Sequence, residues 1–207
     1  VPTVSGTSGN PITVRAINDG GAVIDGQGAR RPVDVAGKSW LVLQGFDGCN
    51  SVDDVIVCRS ASTNNQFNRI CAWDAAITTN NHVFRCDGSG TTANLFEDCA
   101  GFGTGRKIFQ YFSTATSNAN TFRRCWARWM HNTIAQPKDA FNIIYESYNP
   151  LLENCIGTWD ETENGGSPNQ PFGFCSMGEG TTYSAAVNAR VYGCIFYLRA
   201  ADACASL

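Results

Sequence analysis

The 207-residue sequence predicts an all-β chain wound as a right-handed parallel β-helix, and three observations carry that expectation. First, Cys71, Cys99, Cys125, Cys155 and Cys194 each sit near the centre of a short apolar segment, at a near-constant interval that widens only at the last step. Self-similarity at that period signals stacked structural repeats, none of which buries its apolar face alone. Second, the apolar runs are short, about 4–8 residues, rich in β-branched and aromatic side chains and bounded by Gly, Asn, Ser and Asp, the pattern of strands. Third, charged residues make up 16%, below the ~25% of average globular chains, while 21 glycines stand beside many Asn, Ser and Thr. That composition suits many strands joined by turns.

Two apolar segments recur in each repeat. The first members are VDVAG (33–37), DVIVCRS (54–60), HVFRCDG (82–88), KIFQYFST (107–114), FNIIYES (141–147) and FGFCSMG (172–178). The second members are LVLQGF (41–46), with Gly45 in the cysteine slot, then NRICAW, LFEDCAGF, TFRRCWARW, LLENCIGTW and VYGCIFY. Cys58, Cys86 and Phe112 each precede a cysteine of the row, at 71, 99 and 125, by one and the same interval, which supports the pairing. DAFNIIYESY also fits an amphipathic helix of about ten residues. Strands at this spacing without intervening helices exclude a βαβ fold. Coils at about 4.8 Å each make a body of six or seven coils, roughly 30 Å long.

Free cysteine is among the most buried residue types, so the row reads as an interior thiol ladder. Phe96, Phe122 and Leu152 lie three positions before their cysteines, so both members point inward only if the chain bends between them. Stacked thiols at the ~4.8 Å strand spacing exceed the usual ~3.8 Å Cβ separation of a disulfide, so most are expected to be reduced. Cys49 and Cys204 fall outside both columns.

The opening, SGTSGNPITVRAINDGGAVIDGQG followed by GKSWLVLQGFD, resembles the first coils of secreted right-handed parallel β-helix proteins. That superfamily includes pectate-lyase-like and chondroitinase- or alginate-lyase-like enzymes. The repeated N-x-F-x-x-C (94–99 and 120–125) is similar to its generic repeats. The resemblance implies the fold and an extracellular or cell-surface location. It does not choose an activity, because one scaffold carries many chemistries. Of the polygalacturonase-like motifs only the dipeptide Asp53 and Asp54 is present, and Trp73 with Asp74 lacks the histidine of the pectate-lyase W-I-D-H pattern. No catalytic residue is carried over from these families.

Net charge of −3 argues against nucleic acid as a partner. No run reaches the ~18–20 apolar residues of a membrane span. No C-x-x-C and no zinc-spaced Cys/His cluster occurs. The reading expects a single domain over residues 1–207, itself a piece of a longer chain.

Span 106–138 concentrates positive charge: it contains Arg106, Lys107, Arg123, Arg124, Arg128 and Lys138 and lacks Asp and Glu. Phe109, Tyr111, Phe112, Trp126, Trp129 and His131 are interleaved. Guanidinium groups pair bidentately with carboxylates, so an acidic polysaccharide suits Arg106, Lys107, Tyr111, Arg124, Trp126, Arg128 and Trp129 as a binding face. If chemistry occurs there, β-elimination needs a base, Lys107 or His131, and a uronate neutraliser, Arg106 or Arg128. The competing reading has outward arginines solvating the coils and the aromatics packing beneath loops. Asp160, Glu161 and Glu163 offer hard oxygen ligands for calcium in a loop-like insertion, or are plain surface; no cofactor is otherwise required. His82 and the tryptophans at 40, 73 and 159 read as packing or edge residues.

Two functions follow. The first is an extracellular non-catalytic module of a fibre, surface protein or adhesin, glycan-binding or structural. The second is a lyase acting on uronate polysaccharide. Open coil ends stacking on other protein subunits are a further expected partnership.

Overall fold

The computed structural model describes residues 3–77, 80–112, 120–129, 139–143, 148–160, 173–176 and 188–199. The first coil holds β1 (Ile12–Arg15), β2 (Val23–Asp25) and β3 (Val33–Ala36), and the second β4 (Leu41–Gln44), β5 (Asp47–Cys49) and β6 (Ile56–Arg59). The third holds β7 (Gln66–Asn68), β8 (Cys71–Trp73) and β9 (His82–Asp87), and the fourth β10 (Leu95–Glu97), β11 (Ala100–Gly103) and β12 (Lys107–Phe112). Beyond them come β13 (Thr121–Arg123), β14 (Trp126–Trp129), β15 (Asp139–Ile143), β16 (Leu151–Glu153), β17 (Ile156–Asp160), β18 (Gly173–Ser176), β19 (Arg190–Tyr192) and β20 (Ile195–Arg199).

Every third strand joins the same sheet. Sheet 1 runs β1-β4-β7-β10-β13-β16-β19, sheet 2 runs β2-β5-β8-β11-β14-β17-β20, and sheet 3 runs β3-β6-β9-β12-β15-β18. All pairings within them are parallel, so the chain is an all-β parallel solenoid. About four coils, β1 to β12, are traced almost without interruption, fewer than the six or seven expected; β13 to β20 extend each sheet. Residues 139–143, read also as part of a helix, are strand β15.

Each expected second segment is two strands rather than one. A single left-handed residue turns the chain from sheet 1 into sheet 2: Gly45, Arg69, Asp98, Arg124, Asn154 and Gly193, with φ between 50° and 71°. This is the bend that lets Phe96 and Cys99 both point inward, and both are buried. Such a φ costs an L-residue roughly 1–2 kcal/mol, which the packing on either side offsets.

The expected five-cysteine interior ladder does not form. Cys71 pairs in register with Asp47 and Ala100, one residue past the inward position, and Ile70 fills that place. The reason is a spacing of four from Phe67 to Cys71, against three in the coils of Cys99, Cys125 and Cys155. In the coil before, Phe46 rather than Gly45 holds the inward place. Cys99, Cys125 and Cys155 do occupy equivalent buried positions, their thiols donating to the carbonyls of Phe67, Phe96 and Phe122 at 3.3–3.4 Å. Cys194 is only half-buried. In sheet 3, Cys58 pairs with Cys86, but Tyr111, not Phe112, follows in line. Cys49, Cys58, Cys71, Cys86, Cys99, Cys125, Cys155 and Cys194 are free thiols.

Rings fill the interior. Phe67 stacks on Phe96 at 4.4 Å, and Phe84, Phe109 and Phe141 form a second pile with centroids 4.5 and 5.0 Å apart. Over its middle coils sheet 2 leaves room for them by turning small residues inward: Gly48, Ala72, Gly101, Ala127 and Gly157. A Cβ on Gly101 would lie 2.6 Å from Ile108 Cγ2, closer than packed carbons approach.

The corner entering sheet 1 is held by buried asparagines on successive coils. Asn65 Nδ2 donates to Asn94 Oδ1 at 3.0 Å, and Asn94 Nδ2 donates to Asn120 Oδ1 at 2.9 Å. Each Oδ1 also accepts the backbone N–H of the residue one coil back: Leu41 on Asn65, Asn65 on Asn94, Asn94 on Asn120. Each amide thereby stands in for a strand partner where the backbone turns away from the sheet.

Candidate functional site

Two surfaces concentrate chemistry, and they lie on different sheets. On sheet 3 the register sets Asp54, His82, Lys107 and Asp139 at equivalent positions of successive coils, all of them buried. His82 Nδ1–H donates to Asp54 Oδ1 at 2.7 Å, and Arg85 Nη1 donates to Asp54 Oδ2 at 2.8 Å. Arg85 also pairs with Asp87, and Asn142 Nδ2 donates to Asp139 Oδ2 at 2.6 Å. Burial drives the His82 imidazole down to about 4; the Asp54 hydrogen bond opposes that shift and the Lys107 charge adds to it. Burial works to raise the Asp54 carboxyl, but the hydrogen bonds and charges of His82 and Arg85 prevail and hold it below its ordinary value. At neutral pH the pair is therefore a carboxylate orienting a neutral imidazole, whose Nε2 has no hydrogen-bond partner among the described residues.

Sheet 2 presents an apolar and aromatic outer face. Trp73 and Phe102 stack at 5.4 Å with rings 6° from parallel. Arg128, Thr158 and Tyr197 continue that same column coil by coil. Alongside runs Trp126, 38% exposed, followed by Ile156 and Ile195, both also exposed. Trp126 Nε1–H donates to Thr158 Oγ1 at 3.0 Å, which ties the indole to the neighbouring column. Alternation explains the segregation: where a glycine or alanine turns inward, the residues on either side of it turn outward.

The residues expected to form one basic-aromatic face are distributed. Trp126 and Arg128 share the outer face of sheet 2, with Trp129 the last residue of their strand. Lys107 lies in sheet 3 beside His82, with Arg106 immediately before it. Tyr111 is buried, its hydroxyl donating to the Tyr148 carbonyl at 3.0 Å. Arg123 and Arg124 stand at the corner between sheets 1 and 2, where neighbouring coils supply the acids their own span lacks. Arg124 Nε donates to Asp98 at 2.6 Å, and Arg123 bonds Glu153 at 2.7 Å and Glu97 at 3.4 Å. His131, Lys138, Glu161 and Glu163 lie outside the described residues, and Asp160 closes β17 with its backbone paired to Arg199. Among the described residues, no three His, Cys, Asp or Glu side chains gather as metal ligands.

Sequence reasoning set His82 and Trp73 aside as packing. A signal for the first was present: Asp54 and His82 are separated by the same interval as Cys58 and Cys86, so the four had to pair across one coil step. No protein-family model matches the chain, and neither a curated protein sequence nor a solved structure shows significant similarity to it. Its class is therefore defined by architecture, as a parallel β-solenoid. No described helix is long and apolar enough to cross a membrane.

Proposed function

We propose that this chain is a non-catalytic β-solenoid module that binds carbohydrate along the outer face of sheet 2, in the extracellular or cell-surface setting of the secreted β-helix proteins its opening resembles. The observation that carries the reading is the aligned platform of Trp73, Phe102, Trp126 and Tyr197 with Arg128 in its column. The stacked Trp73 and Phe102 rings extend an apolar aromatic surface across two coils, and the Arg128 guanidinium next in their column suits an acidic sugar's carboxylate. Titration of tryptophan fluorescence with pectin, alginate and chondroitin oligosaccharides tests it. Trp73→Ala and Trp126→Ala should each weaken binding at least tenfold with the far-ultraviolet spectrum unchanged; unaltered affinity in both refutes the assignment.

A second reading, a uronate lyase, is favoured by the Asp54–His82 pair beside Lys107. A neutral imidazole oriented by a carboxylate is a competent proton acceptor. Its burial, with that of Lys107, keeps a polymer away, which is why the binding module is preferred. Unsaturated uronate absorbance that appears with the wild type and vanishes in His82→Ala and Lys107→Ala would reverse that order.

A further inference from the structure

We propose that the outer side of sheet 3 holds a binding site for a single neutral sugar ring, recognised through its hydroxyls by His82, Arg85 and Gln110. This goes beyond the sheet 2 reading and does not depend on it. Packing fixes the placement. Val55 with Ile56, Val83 with Phe84, and Ile108 with Phe109 all join the core, so each strand turns two successive residues inward. The positions on either side turn outward: Asp54, His82 and Lys107 in one column, Val57, Arg85 and Gln110 in the next. Outward positions of a solenoid are ordinarily solvated, yet His82 and Lys107 are fully buried and Gln110 is 3% exposed. The Arg85 side chain, 29% exposed, keeps the cluster in contact with solvent.

Asp54 organises the cluster. Its carboxylate accepts from His82 Nδ1–H at 2.7 Å and from Arg85 Nη1 at 2.8 Å, which holds the imidazole and the guanidinium beside one another. With the hydrogen on Nδ1, Nε2 is an acceptor, turned away from Asp54. His82 Nε2, Arg85 Nε and Gln110 Oε1 are buried atoms without a hydrogen-bond partner among the described residues. Each unmet group of this kind costs about 1–3 kcal/mol, so three on two adjacent coils mark a surface that a ligand completes. Two acceptors and one donor call for a partner that donates twice and accepts once. Neighbouring hydroxyls on a sugar ring do this, since each both donates and accepts. Val57, fully buried and in register with Arg85, adds an apolar contact for the ring's C–H groups. An anion is disfavoured because both Arg85 Nη groups are already taken, by Asp54 and Asp87. A metal cation at Nε2 is disfavoured by the Lys107 charge acting on the imidazole. Burial leaves no groove for a polymer, so the ligand is one ring rather than a chain.

Imidazole nitrogen-15 chemical shifts test the inference. The chain has only two histidines, so comparison with His82→Gln assigns the His82 signals. Protein labelled at histidine is titrated at pH 7.5 with D-glucose, D-galactose and D-mannose. At least one sugar should move the His82 Nε2 signal upfield, saturably and in the millimolar range, while 2-propanol, with its single hydroxyl, should not. Gln110→Ala should weaken that sugar at least tenfold with the circular dichroism spectrum unchanged; if this variant does not fold, the wild-type titration still decides. The readout is local to sheet 3, so its outcome is separate from oligosaccharide binding on sheet 2. An Nε2 signal that none of the three sugars moves leaves ordered water as the only partner and overturns the proposal. So does an equal shift with 2-propanol, or an affinity unchanged in Gln110→Ala.

Discussion

Acid should loosen this fold through one buried imidazole. His82 is fully buried beside Lys107 and Arg85, and its folded-state value of about 4 lies below the ordinary 6.5. The unfolded chain therefore takes up the proton first as pH falls. Stability from keeping His82 neutral is complete above pH 6.5 and declines as pH drops toward 4. A depression of that size corresponds to about 3 kcal/mol between pH 7 and pH 4, at about 1.4 kcal/mol per pH unit. Asp54 works in the same direction at still lower pH: its lowered carboxyl contributes stability above its ordinary value, lost as pH falls through the folded one. Urea denaturation at pH 7.5, 6.0, 5.0 and 4.0 should show the wild type losing that increment, while His82→Gln, which cannot take up a proton, loses distinctly less. The variant starts from lower stability because Nδ1–H no longer meets Asp54, so the two curves converge in acid. Parallel curves, with wild type and variant losing equal stability, would refute the placement of a neutral histidine in this column.

Three further outcomes follow from particular contacts. Asn94→Ala removes an amide that accepts from Asn65 and donates to Asn120 and Ser62, so equilibrium unfolding should show a loss of roughly 2–4 kcal/mol. Gly101→Ala should cost about 1–3 kcal/mol by overpacking against Ile108, and Ile108→Ala in the same chain should recover part of it in a double-mutant cycle. In native alkylation read by mass spectrometry, Cys99, Cys125 and Cys155 should be protected until the chain unfolds. Cys71, half-buried and pushed up to about 11 chiefly by burial, should react slowly, and faster as pH is raised from 8 to 10.

The parallel β-solenoid was readable from the sequence because the repeat is a property of spacing alone. Short strands recurring at a near-constant interval, with no helical period between them, leave few other ways to bury a common apolar face. The bend between Phe96 and Cys99 was legible for the same reason: alternation forbids a spacing of three between two inward residues unless the chain turns. Even the misplaced Cys71 carried its own correction in its interval from Phe67. The asparagine corner was visible only as a recurring letter, since nothing local distinguishes a buried amide from a turn residue.

Sequence alone determined that equivalent positions would stack. Which charges meet was decided only by the coiled chain, because side chains a full coil apart in sequence become neighbours one strand spacing apart. Span 106–138 reads as uncompensated positive charge along the chain, yet Glu97, Asp98 and Glu153 on the adjoining coils neutralise Arg123 and Arg124. His82 reads as an isolated histidine, yet the fold sets it between Asp54 and Lys107, where the low dielectric of a dry interior fixes its protonation. Periodicity specifies register, and register then assigns the partners that give each side chain its chemistry.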